Sequence, residues 1–255
     1  MSHHIVEAQD LHFAYPDGTE VLRGISFRIT HGESVAIVGA NGAGKSTLLL
    51  HLNGYLTSTK GVLRIGDSPL TKENLKQVRR AVGLVFQDPD DQLFMPTVFD
   101  DVAFGPLNMG LPEGEVQTRV RAALQTVGAW HLHNRPPYRL SAGEKRAVAI
   151  ATVLSMSPDI LVMDEPSSNL DPRSRRGLID ILKGFTHSKI IATHDLDMVM
   201  DLCRRTLVIR EGKIIADGPT EEIMLDDELL ASSNLEKPFR LQNCPVCQND
   251  PAHDT

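Results

Sequence analysis

Ser34-Val35-Ala36-Ile37-Val38 runs directly into Gly39-Ala40-Asn41-Gly42-Ala43-Gly44-Lys45-Ser46, and Thr47-Leu48-Leu49-Leu50 follows. The first five residues form a short apolar run without alternation, the pattern of a strand buried on both faces. The next eight fit G-x-x-x-x-G-K-S, and the residues after them read as a helix from Ser46 to Leu56. Glycines at 39, 42 and 44 let successive backbone N–H groups turn inward toward phosphate oxygens. The positive end of the following helix adds to that field. In such a loop the lysine, here Lys45, reaches the terminal phosphates, and the Ser46 hydroxyl holds Mg²⁺. This stretch predicts an α/β core built around a phosphate grip.

Working outward, residues 4 to 31 alternate apolar and polar around Pro16-Asp17-Gly18, which predicts a β-hairpin or meander. Val62 to Ile65 reads as a short strand and Val82 to Phe86 as a buried one. From about residue 90 to 157 strand-like runs vanish. Glu113 to Gly128 has helical spacing, and a second helix is expected after Ser141, running through Leu154. This stretch predicts a helical lobe inserted into the core. Ile160-Leu161-Val162-Met163 and Lys189-Ile190-Ile191-Ala192-Thr193 resume the core, with strands alternating with helices as in a parallel sheet. Thr206 to Ile209 and Lys213 to Ala216 around Glu211-Gly212 predict a closing hairpin. Residues 231–255 read as a polar, weakly patterned tail.

A formal net charge of -7 over 255 residues argues against a nucleic-acid partner, which calls for a basic excess. No apolar run approaches the roughly 20 residues of a membrane span. Met1 to Glu7 lacks the pattern of a secretory leader. Three cysteines fit a reducing compartment. The expectation is a cytoplasmic chain whose membrane role, if any, comes through a partner.

Two further segments carry chemistry. Ile160 to Glu165 is an apolar strand ending in two carboxylates, with Asp164 available to Mg²⁺ and Glu165 able to polarise an attacking water. Two adjacent acids can also simply cap the next element. Leu140-Ser141-Ala142-Gly143-Glu144 opens a helix as a second small, hydroxyl-bearing anion site, or as an N-cap with nothing bound.

Taken in order over residues 5 to 230, these segments resemble the nucleotide-binding subunits of ABC transporters. The resemblance implies a P-loop NTPase (RecA-like) core, an antiparallel β subdomain and the inserted helical subdomain, with a nucleotide-binding domain over residues 1–230. ATP and Mg²⁺ are the implied ligands. Gly39, Asn41, Gly42, Gly44, Lys45, Ser46 and Thr47 would hold the nucleotide, and Tyr15 would stack on adenine. Gln87 would sense Mg²⁺ and the attacking water, alongside Ser46 and Asp164. His194 would touch the γ-phosphate beside Glu165. Ser168-Asn169-Leu170-Asp171 matches the loop at the dimer interface. Ser141 and Gly143 would contact ATP held by a second subunit. This chain has Ala142 where that family usually has glycine, and Glu144 where it usually has glutamine.

Phe86-Gln87-Asp88-Pro89-Asp90-Asp91-Gln92-Leu93-Phe94 and Val98 to Pro106 look like the energy-coupling-factor group of importers, and Glu144 to Leu154 like its cobalt and nickel branch. That implies a homodimer or a paired sister ATPase, a coupling membrane subunit and a substrate-binding membrane subunit, with the chain peripheral at the cytoplasmic face. The acidic stretch after Gln87 is expected to receive a basic coupling segment. A vitamin importer of the same group, or a non-transport ABC ATPase, is the alternative. The single cassette and modest helical lobe do not fit DNA-repair or translation-associated relatives. Cys244-Pro245-Val246-Cys247, with His253, has the spacing of half a zinc site, or is a pair of free thiols in a tail.

Overall fold

The computed structural model describes residues 4–242; Cys244, Cys247 and His253 lie outside them. Two sheets organise the chain. β1 (His4–Ala14), β2 (Glu20–Thr30), β4 (Lys60–Ile65) and β5 (Ser68–Pro69) form a four-stranded sheet in the order β2-β1-β4-β5, antiparallel throughout. Its alternation is physical. Leu22, Ile25, Phe27 and Ile29 of β2 turn inward, and the residues between them face water.

The second sheet has the order β10-β9-β3-β8-β7-β6. Its strands are β3 (Ser34–Val38), β6 (Val82–Val85), β7 (Ile160–Asp164), β8 (Ser188–Ala192), β9 (Arg205–Arg210) and β10 (Lys213–Pro219). Pairing is parallel from β9 across to β6, and only β10 is antiparallel. Every residue of β7 and β8 is buried, which is why these strands read as unbroken apolar runs.

Helix α1 (Lys45–Leu52) lies between the sheets and buries Leu48, Leu49 and Leu52 against Leu11, Leu22 and Ile37. It ends four residues short of the expected Leu56. Asn53 caps it, and the Tyr55 and Leu56 N–H groups both return to the Leu50 carbonyl, turning the chain away. α2 (Leu75–Ala81) precedes β6.

The inserted segment holds α3 (Val98–Asn108), α4 (Glu113–Thr126) and α5 (Ala142–Leu154), which pack through Val102, Val120, Leu124 and Val148. α6 (Pro172–Gly184), α7 (Leu196–Leu202), α8 (Thr220–Leu225) and α9 (Asp227–Ser232) cover the core. The described part of the expected tail is anchored. Leu235 is buried, and Asp197 of α7 accepts the Phe239 N–H (2.9 Å) and the Arg240 guanidinium (3.1 Å).

Candidate functional site

The glycine loop passes between β3 and α1, and two of its glycines are required by space and backbone. At Gly39 (φ 155°) a Cβ would sit 2.2 Å from the Ile209 carbonyl oxygen. Gly42 (φ 79°) is left-handed with open space where a Cβ would be. Lys45 is only 6% exposed, and its ammonium donates to the carbonyls of Gly39 (2.8 Å) and Ala40 (3.1 Å). Burial pushes its pKa down, and Glu165 and Asp164 push back.

A cleft of about 500 Å³ opens above the loop. Its walls bring together Tyr15, Asn41, Gly42, Gly44, Lys45, Ser46, Thr47, Gln87, Glu165 and His194, residues drawn from points across much of the chain. Gly39 does not line this cleft. Tyr15 is fixed by an edge-on contact with Phe13 (4.9 Å between centroids) and by a hydroxyl contact to Thr47 Oγ1 (3.2 Å). Its ring can therefore form a flat wall for a planar ligand.

Asp164 ends β7 with its Oδ1 buried and without a hydrogen-bond partner. Burial raises its carboxyl pKa, against the lowering effect of the Ser46 hydroxyl bond and of Lys45 and Arg146. A hydroxyl beside an unpartnered buried carboxylate oxygen is a donor set that suits a hard divalent cation. Glu165 follows at φ 44°, a backbone strain placed at the head of the strand. Its Oε2 accepts from Thr193 Oγ1 (3.0 Å), from the His194 N–H (3.3 Å) and from His194 Nδ1 (2.8 Å). A carboxylate acceptor draws the proton to Nδ1, on a side chain that is itself 65% exposed.

Ser141, Gly143 and Asp171 are not brought to this cleft. Ser141 caps α5. Its Oγ accepts from the Glu144 N–H (3.4 Å), and Glu144 Oε2 accepts from both the Ser141 N–H (2.8 Å) and its hydroxyl (2.9 Å). Asp171 caps α6 by accepting from the N–H groups of Arg173 and Ser174. Asp90 of the acidic stretch, expected to await a basic partner, already pairs with Lys145 at 2.6 Å.

Thr193 and the bidentate Arg175–Asp195 pair (2.6 and 2.7 Å) were not legible as site parts. For Thr193 and Asp195 the signal is a polar run, Thr193-His194-Asp195, directly after the apolar Ile190-Ile191-Ala192 of β8.

A glycine loop feeding a helix, a buried lysine, and two carboxylates at the end of β7, one strand removed from β3 in the parallel sheet, define a P-loop nucleoside-triphosphatase. Residues 22–168 match the ABC transporter family. The chain belongs to that family, as an ATP-binding and ATP-hydrolysing member. It is 70% identical over 247 residues to a Geobacter sulfurreducens protein, itself named only provisionally as an ABC transporter ATP-binding protein, covering 97% of this chain and 99% of that one. It is 49% identical over 242 residues to the energy-coupling factor transporter ATP-binding protein EcfA of Methanocaldococcus jannaschii, covering 92% and 86%. The solved structure of cbiO1 from Clostridium perfringens, part of the ABC transporter complex cbiONQ, superposes with a TM-score of 0.80 at 40% identity, covering 91% of this chain and 95% of that one.

Proposed function

We propose that this chain is the ATPase subunit of an energy-coupling-factor importer, working as a pair of ATPase subunits that enclose two ATP molecules. The observation that carries this reading is the division of the site. Lys45, Glu165 and His194 converge in one cleft, whereas Ser141 and Gly143 lie outside it at the start of α5. Such a half-site calls for a second subunit, either another copy or a sister ATPase, whose Ser141 and Gly143 would close on the γ-phosphate, with Asp171 and its loop at the seam. A bound Mg²⁺, held by Ser46, Gln87 and Asp164, would neutralise charge developing on the phosphates. Tyr15 would orient adenine. Lys45 with Gly39, Asn41, Gly42, Gly44 and Thr47 would hold the phosphates. Gln87 and Glu165 would align a water, with His194 at the transferred phosphate.

No described helix is long and apolar enough to cross a membrane, so coupling needs membrane partners: a coupling subunit and a substrate-binding subunit. A groove of about 670 Å³ between α2 and α3 suits the coupling subunit. Phe94 and Phe104 project there, 63% and 44% exposed and in edge contact at 5.1 Å, beside Lys76, Arg79 and Arg80. That groove is better suited than the acidic stretch after Gln87, because Asp90 is already neutralised by Lys145. The chain then sits peripherally at the cytoplasmic face.

The cargo we assign is a transition-metal ion, cobalt or nickel. The resemblance over Glu144 to Leu154 supports it. Uptake assays in cells expressing the wild type or Lys45→Ala decide between cargoes. Loss of cobalt or nickel accumulation with the variant is expected. Unchanged metal uptake with loss of vitamin uptake would favour the vitamin-importing alternative.

A further inference from the structure

Arg146 lies one turn into α5 and is only 3% exposed. A buried guanidinium is costly unless its donors are used, and two of these nitrogens are spent on backbone. Nη1 donates to the Phe86 carbonyl (2.8 Å) and Nη2 to the Gln87 carbonyl (2.7 Å). Burial pushes its pKa down, opposed by Asp88 and Asp164. The same loop is tied to α5 at its other end. Gln92 donates to the Ala149 carbonyl (2.8 Å) and to Thr152 Oγ1 (2.7 Å), and its Oε1 accepts the Phe86 N–H (3.1 Å).

We infer that Arg146 is a positioning residue that sets Gln87 in the ATP cleft and couples that placement to the orientation of α5. A planar fork is needed because two successive carbonyls must be held at once; a lysine ammonium on a flexible stem cannot grip both. Ser141 caps α5, so one rigid element carries the exposed hydroxyl and, five residues on, the clamp on this chain's own Gln87. Engagement of Ser141 by another subunit would thereby be felt at Gln87. The inference rests on the ATPase reading above for its consequence, and on the intrachain contacts for its geometry.

Two measurements on the full chain test it, using Arg146→Lys and, as a second variant, Arg146→Gln. The first is hydrogen–deuterium exchange without nucleotide. Faster exchange across residues 86–92 by about tenfold, with the loop at 39–46 unchanged, is expected from loss of the clamp. Unchanged exchange at 86–92 in both variants would overturn the inference. The second is a double-mutant cycle on ATP turnover. Arg146→Lys is expected to lower turnover about tenfold with half-saturating ATP nearly constant, and to add no further loss in a Gln87→Ala background. A residue that only stabilises the fold would cost the same in both backgrounds, and that additive result would also overturn it. A wild type that hydrolysed no ATP would refute the functional reading instead, and the exchange result alone would then decide the role of Arg146.

Discussion

Replacing Gly39 by alanine strikes the point where the phosphate loop touches the sheet. The added Cβ would lie 2.2 Å from the Ile209 carbonyl oxygen, about 1 Å closer than ordinary contact allows. Neither side can yield cheaply. Ile209 belongs to β9, whose neighbours Leu207 and Val208 pair with Ile37 and Val38, and Ile209 itself pairs with Ile214 of β10. Overpacking of this kind costs about 1–3 kcal/mol, and holding alanine at φ 155° costs a further 1–3 kcal/mol or so. The expected loss is about 2–6 kcal/mol, a large share of the roughly 5–15 kcal/mol that holds a domain together. Gly42→Ala is the matched control. It has φ 79° but nothing within 4 Å of the new Cβ, so only the left-handed backbone penalty of about 1–2 kcal/mol applies. Urea unfolding of the nucleotide-free protein, compared at equal slope, measures both variants. A Gly39→Ala protein as stable as wild type, or more stable than Gly42→Ala, would refute the packing argument.

Asp164→Asn is expected to raise the melting temperature of the nucleotide-free protein near neutral pH while cutting Mg²⁺-dependent ATP turnover about 10²-fold or more. The sign follows from burial. The folded carboxyl pKa is raised, so the folded state binds the proton more readily than the unfolded chain does. Its cost to stability is present above the folded pKa and fades as pH falls through it, and so should the stabilising effect of asparagine. Glu165→Gln should lower turnover by about 10²–10⁴-fold with ATP affinity retained, measured by steady-state hydrolysis against nucleotide binding; equal losses in both would contradict a role confined to the chemical step. Burial pushes the Cys203 thiol up to about 12, so iodoacetamide at mildly alkaline pH should leave it unmodified in the folded protein and modify it in denaturant, as read by peptide mass.

Much of this architecture is legible because it is local. The glycine loop, the unalternating strands at 34–38 and 160–164, and the alternation of β2 each follow from a short window whose burial is uniform or strictly periodic. α3 has a readable N-cap in Thr97, which accepts the Asp100 N–H, but Gly105 and Pro106 within its last turn break the helical signal. The apolar spacing after Ser46 runs on to Leu56, while the backbone has already turned at Asn53. At the site, Lys45, Asp164 and Glu165 were readable from motif and strand context. Arg146, Thr193 and the Arg175–Asp195 pair were not, because their partners lie 20 to 60 residues away and only the tertiary fold brings them into contact. The return of Arg240 to Asp197 and Asp201 was hidden for the same reason.

Completion of the site by Ser141 of a second subunit is tested most directly by Ser141→Arg. The substitution is exposed and lies outside the chain's own cleft, so ATP binding should match wild type, and stability should fall only by the lost α5 cap, about 1 kcal/mol. ATP hydrolysis, measured side by side on the two proteins, should be lost in the variant. Hydrolysis at the wild-type rate would mean that one chain completes its own site, and would contradict the paired mechanism.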